Sequence, residues 1–204
     1  MDILAIGSHP DDIEFGCGGT LRKYHLAGHA IHLLVMSDGA RGGDAVIRRR
    51  EQEAAANVLG IRDVRWGDFP DAEIPTGPET IQRIERVIRE IQPALIFVHH
   101  PDDTHQDHRN VSLATSTATR YVRNLLHYEG PTTQTFLPTI FVDIAPSFED
   151  KIRALEAHAS QRNKTNIPDL SATDIARSLA HFRGLQGRVA AAEGFVPIRL
   201  FINV

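Results

Sequence analysis

The chain has 204 residues, 42% hydrophobic and 24% charged, which suffices for one core that also encloses a site, so a single domain over 1–204 is expected. Its 22 Lys and Arg against 26 Asp and Glu, net charge −4 and spread along the chain, exclude the basic footprint of nucleic-acid or anionic-membrane binding. Met1-Asp2-Ile3-Leu4 opens no basic-then-apolar leader, no apolar run has membrane-span length, and the single Cys17 has no partner for a disulfide or a CxxC site. The reading is therefore a soluble, unexported chain with the cytoplasm as default and Cys17 a small buried residue.

In chain order, the pattern predicts a strand at Asp2–Gly7 and, after a glycine-rich turn, a helix from about Gly19 to Ala27. A strand at Ile31–Ser37 leads to a helix at Ala45–Leu59, with Gly60 as its C-cap signal. Val64–Trp66 reads as a short strand, and Phe69–Gly77, rich in Pro, Asp and Gly, as irregular surface. Pro78 suits the first turn of a helix to Ile91, which Pro93 closes. A strand at Ala94–His99 precedes a long helix at Asn110–His127, and a strand at Thr139–Ile144 precedes a helix at Ser147–Ala159, with Ser147, Glu149 and Asp150 as a capped start. Asn163–Ser171 is read as a loop and Ala172–Gly184 as the last helix, followed by the apolar tail Phe195–Val204 as an edge strand or extended segment. Strands alternating with helices imply an α/β fold, Rossmann-like and doubly wound, with a mostly parallel sheet covered by helices on both faces.

Two loops carry the chemistry. His9-Pro10-Asp11-Asp12 leaves the first strand, and His99-His100-Pro101-Asp102-Asp103-Thr104-His105-Gln106-Asp107-His108 leaves the fourth. In a doubly wound sheet the strand order reverses beside the first strand, so these two loops meet at the carboxyl edge. A catalytic zinc wants about three protein ligands and an open position, a demand that His9, Asp12 and His108 meet. Asp11 is then free to act as base on metal-activated water. His105, one helical turn before His108, would stabilise the oxyanion and protonate the leaving amine, with Asp107 orienting it and raising its pKa. Asp102 and Asp103 are alternatives to Asp107 for that role, but Pro101-Asp102-Asp103 also makes an ordinary turn, so they are read as turn caps.

These residues resemble the LmbE-like (PIG-L) family of zinc-dependent N-acetylglucosamine deacetylases. The resemblance rests on His9-Pro10-Asp11-Asp12-Ile13-Glu14 and His105-Gln106-Asp107-His108, with Gly16-Cys17-Gly18-Gly19-Thr20-Leu21, Ser37-Asp38-Gly39, Arg48-x-x-Glu51, Tyr128-Glu129-Gly130-Pro131 and Ala192-Glu193-Gly194-Phe195 in support. It implies a Rossmann-like fold, zinc on His9, Asp12 and His108, Asp11 as base, and His105 paired with Asp107 as the oxyanion-stabilising group. It selects among the histidines of the second loop. The family's Glu directly follows the two Asp, whereas Ile13 intervenes here, so Glu14 is read as bonding to backbone amides of the glycine-rich turn. Arg48 and Glu51 are read as a helix-face pair, His158 and Tyr128 as pocket-lining or simply packed residues, and His25, His29, His32, His127 and His181 as scattered.

The leading reading is an amidohydrolase that removes acetyl from an N-acetylated amino sugar. Alternatives are an amidase for a larger acyl group, a two-metal phosphoesterase prompted by Asp107-His108-Arg109, and a binding protein without catalysis. Other divalent ions suit the same donors as zinc. The resemblance and the apolar tail lean towards a homo-oligomer.

Overall fold

A computed structural model describes residues 1–202. The strands are β1 (Asp2–Gly7), β2 (Ala30–Ser37), β3 (Asp63–Phe69), β4 (Leu95–His99), β5 (Leu125–Tyr128), β6 (Ile140–Asp143) and β7 (Ala192–Arg199). The helices are α1 (Asp12–Leu26), α2 (Ala45–Leu59), α3 (Pro78–Ile91), α4 (Gln106–Ala118), α5 (Phe148–Ala157) and α6 (Ala172–Gly187). Among the described residues one sheet forms, in the order β3-β2-β1-β4-β5-β7-β6. The first five of these strands are parallel, and β7 runs antiparallel between β5 and β6.

Period-two alternation divides the strand residues between two cores. Ile3, Ala5, Leu33 and Val35 face Ile13, Cys17 and Leu21 of α1 and Ala55, Ala56 and Leu59 of α2. Leu4, Ile6, Leu34 and Met36 face Ile84 and Val87 of α3 and Val111 and Ala114 of α4. Helices thus cover both faces, as the alternation of elements predicts.

The structure revises several of these readings. Helix α1 begins at Asp12, because the glycines expected to form a turn lie inside it and admit neighbours: a Cβ on Gly16 would fall 2.1 Å from Tyr128 Cδ2. The predicted helix Asn110–His127 stops at Ala118, and Leu125–Tyr128 pairs with β4 as a strand. Ser147 does not cap α5 with its side chain; its hydroxyl donates to Gly19 O at 2.8 Å. The tail strand begins at Ala192 and lies inside the sheet, β6 being the edge, while Asn203 and Val204 fall outside the described residues. Gly60 does close α2, with φ 82°.

β1 and β4 are neighbours, and the segments leaving them enter α1 and α4 side by side. That juxtaposition is the topological switch point of the sheet.

Candidate metal centre and active site

The His-Pro-Asp-Asp loop turns sharply into α1, with Asp11 at the N-cap in the left-handed region at φ 93°, ψ −25°. Arg48 from α2 is buried below it and donates to Pro10 O and to Gly39 O, both at 2.7 Å. Gly39, at φ 68°, leaves room for that guanidinium. On the other side, His105 is the N-cap of α4, so His108 sits one turn into the helix and faces the first loop.

Asp12 is the hub. Its Oδ2 accepts His9 N at 2.7 Å and lies 3.4 Å from His9 Nδ1, while its Oδ1 lies 3.3 Å from His108 Nε2. Three overlapping donor sets, each within 4.8 Å, occur among the described residues: His9 with His105 and His108, Asp12 with His99 and His108, and His9 with Asp71 and Asp107. The expected trio His9, Asp12 and His108 is divided among them, and the hydrogen bonds decide which donors are free. His9 Nε2 lies 3.0 Å from Asp71 and 3.1 Å from Asp107, so it carries the proton and leaves Nδ1 as the donor towards Asp12. His108 Nδ1 lies 3.3 Å from Asp103 Oδ2, which leaves Nε2 as its donor. His99 lies 3.3 Å from Asp12, but its Nε2 already accepts Ser8 N at 3.0 Å and has no lone pair to offer.

Electrostatics favour a cation at this point. Asp12, Asp71, Asp103 and Asp107 are all buried around His9 and His108. Burial by itself would lower both imidazoles; the hydrogen bonds of Asp107, Asp12 and Asp71 raise His9 well above its ordinary value, and Asp12 and Asp103 raise His108 to about 9. Protons on these rings stand where a divalent ion would compensate the same carboxylates. Imidazole nitrogens and carboxylates grouped this closely suit a first-row divalent metal.

Asp11 is raised to about 6 by burial and by the neighbouring Asp12, against the opposing pull of His158, Arg48 and His9. Its side chain keeps 31% exposure. It opens on a cavity of about 620 Å³ whose floor includes His9, Asp12, His105 and His108 and whose far wall includes Phe15, Leu155 and the segment Gln161–Ile167. A larger hollow of about 800 Å³, bordered by Ala94, Tyr121 and Phe201, lies at the amino ends of β4 and β5 and holds none of the motif residues.

Several sequence readings need correction. The Asp107 carboxylate does not pair with the His105 ring: its oxygens accept Ala72 N and Ile74 N and face His9, whereas His105 Nδ1 accepts the Asp107 amide at 3.2 Å. The pKa of His105 is lowered, not raised, by burial and then by His9 and His108. Glu14 does not bind the glycine amides; it accepts Gln52 Nε2 at 2.6 Å, and Glu193 accepts Gly19 N and Thr20 N instead. Arg48 and Glu51 do not pair: Glu51 accepts Ser160. Tyr128 is a packed aromatic whose hydroxyl donates to Ile6 O, whereas His158 does line the cavity. Asp103, read as a turn cap, caps His105 N at 2.8 Å and also faces His108. Nothing in the local pattern pointed to Asp71, which a loop after β3 brings to His9.

Residues 4–119 match the PIG-L family, described as GlcNAc-PI de-N-acetylase, and the chain belongs to that family. The diacetylchitobiose deacetylase of Thermococcus kodakarensis is 30% identical, over 99% of this chain and 85% of that one. Among solved structures, the conserved protein TT1542 of Thermus thermophilus superposes with a TM-score of 0.89 at 27% identity, covering 100% of this chain and 97% of that one. The fold also carries another reaction: a 4-carboxy-2-hydroxymuconate hydratase from Pseudomonas putida superposes with a TM-score of 0.85 at 22% identity over 100% of this chain and 99% of that one. The fold alone therefore does not fix the reaction, which depends on the site.

Proposed function

We propose that the protein is a zinc-dependent N-deacetylase of N-acetylated amino sugars, releasing acetate and the free amine. One observation carries the reading: the free donors His9 Nδ1 and His108 Nε2 flank the two oxygens of Asp12, beside Asp11, on the floor of the cavity. The Thermococcus relative, named for an acetylated amino-sugar substrate, supports the acetamide as the group cleaved. His9, Asp12 and His108 would hold the ion, which when bound acidifies water and polarises the amide carbonyl.

Asp11, raised to about 6, is poised to take the proton of the attacking water near neutral pH. With Nδ1 accepting the Asp107 amide, His105 is neutral and offers Nε2–H to the oxyanion as the tetrahedral centre forms. The amide C–N bond then breaks, and the amine leaves with the proton that Asp11 holds. This assigns proton return to Asp11 rather than to a protonated His105.

The test is acetate release from a panel of N-acetylglucosamine conjugates by zinc-loaded protein, alongside bulkier amides of the same amines. Asp11→Asn is expected to lower kcat by roughly 10²–10⁴-fold with zinc still bound. Unchanged release in that variant would remove Asp11 from its role, and faster release of bulkier acyl groups would replace deacetylation with the broader amidase reading.

A further inference from the structure

Asp11 is a strained residue of the site, and its conformation is held from outside its own loop. A residue bearing a Cβ at φ 93° is strained, and that conformation persists only where the surroundings over-determine it. The peptide unit between Pro10 and Asp11 is gripped at both polar ends by α2. Pro10 O accepts Arg48 Nη2 at 2.7 Å, and Asp11 N donates to Gln52 Oε1 at 3.3 Å. Arg48 and Gln52 are four residues apart, so they stand on one helix face and reach the same peptide plane.

The amide of Gln52 can point either way, and Glu14 decides which. Gln52 Nε2 donates to Glu14 Oε1 at 2.6 Å, which turns Oε1 of Gln52 towards the Asp11 N–H. Behind Glu14, His158 at the end of α5 places Nε2 3.5 Å from Glu14 Oε2. Gln52 and Glu14 are fully buried and His158 is 1% exposed. Polar groups buried this deeply between α1, α2 and α5 cost desolvation energy, and apolar side chains of similar volume would pack these helices as well or better. Packing alone does not account for them.

We propose that Gln52, Glu14 and His158 are positioning residues: with Arg48 they lock the Pro10–Asp11 peptide plane in the orientation that presents the Asp11 carboxylate to the cavity. This rests on Asp11 being the base. Buried polar residues that the proposed reaction does not use, namely Glu14, Arg48 and His158, thereby acquire one shared task.

The test uses Gln52→Met, nearly isosteric but without the acceptor. In its crystal structure Asp11 is expected to relax to negative φ, and kcat for acetate release to fall about tenfold or more, with KM and bound zinc within about twofold of wild type. In an Asp11→Asn background the same substitution is expected to cost no further kcat, since it acts through Asp11. His158→Gln should show the same pattern more weakly, and it stands in if Gln52→Met does not fold. A left-handed Asp11 in the Gln52→Met crystal, or an equal loss in the Asp11→Asn background, overturns the proposal. If the wild type deacetylates nothing, the functional reading fails while the backbone of Asp11 in the crystal still decides this one.

Discussion

An imidazole can donate a lone pair to a metal only through a nitrogen that carries no proton, so whatever holds the proton on the other nitrogen governs the site. Asp103 does this for His108, and it is itself held by Thr132 Oγ1 at 2.7 Å and Thr133 Oγ1 at 2.9 Å. Asp103→Asn is expected to weaken zinc binding roughly 10–100-fold, measured by competition with a chromogenic chelator. Asp102→Asn, whose Oδ2 accepts Thr135 N in the same loop, serves as a control that leaves the affinity unchanged. A different titration belongs to His127, buried with Nδ1 2.6 Å from His99 O and lowered to about 4, chiefly by burial. Because its folded pKa lies below the unfolded value of about 6.5, the unfolded chain binds the proton first, and stability is lost as the pH is lowered from about 6.5 to about 4. His127→Asn should flatten that fall in the metal-free protein by about 3 kcal/mol, read from urea midpoints at successive pH values. Of these residues the two ligand-bearing loops were legible as His-Pro-Asp-Asp and His-x-Asp-His, since ligand-rich turns after apolar runs are local patterns. Asp107 and Asp103 were legible as candidates, but which ring each serves was not, and Asp71 was not visible at all, because it reaches His9 only through the packing of the loop after β3.

At the level of elements, α1 shows how a local rule yields to a tertiary contact. Gly16 to Gly19 read as a turn, because glycine weakens a helix by about 1 kcal/mol relative to alanine. They are helical because Tyr128 and Ile144 press against the backbone there, Gly19 meeting Ile144 Cβ at 3.0 Å from where its own Cβ would be. Gly16→Ala would gain that helix propensity but force a methyl to 2.1 Å from a ring whose hydroxyl is anchored on Ile6 O. Overpacking costs about 1–3 kcal/mol and outweighs the gain, so the variant should unfold at lower denaturant, with its midpoint measured by circular dichroism. The early end of α4 has a similar origin. Thr119 Oγ1 turns back to Thr115 O, and the chain then leaves to supply β5 beside β4, a pairing that no window of sequence displays.

Across the whole molecule, the buried carboxylates Asp12, Asp71, Asp103 and Asp107 sit between β1, the loop after β3, and the loop and helix after β4, so the metal would tie together segments far apart in the chain. A ligand that binds only the folded state stabilises it by about 4 kcal/mol at a thousandfold excess over Kd. Chelation is therefore expected to lower Tm by several degrees in scanning calorimetry, reversibly on adding zinc. By itself the sequence determined the alternation of strands and helices, the two ligand-bearing loops and the family, because periodicity, turn residues and short motifs are written in consecutive residues. Only the tertiary structure decided which nitrogen of each histidine is free, which carboxylate serves which ring, and how α2 and the end of α5 hold Asp11, because those outcomes depend on hydrogen bonds between segments that meet only when the sheet is assembled.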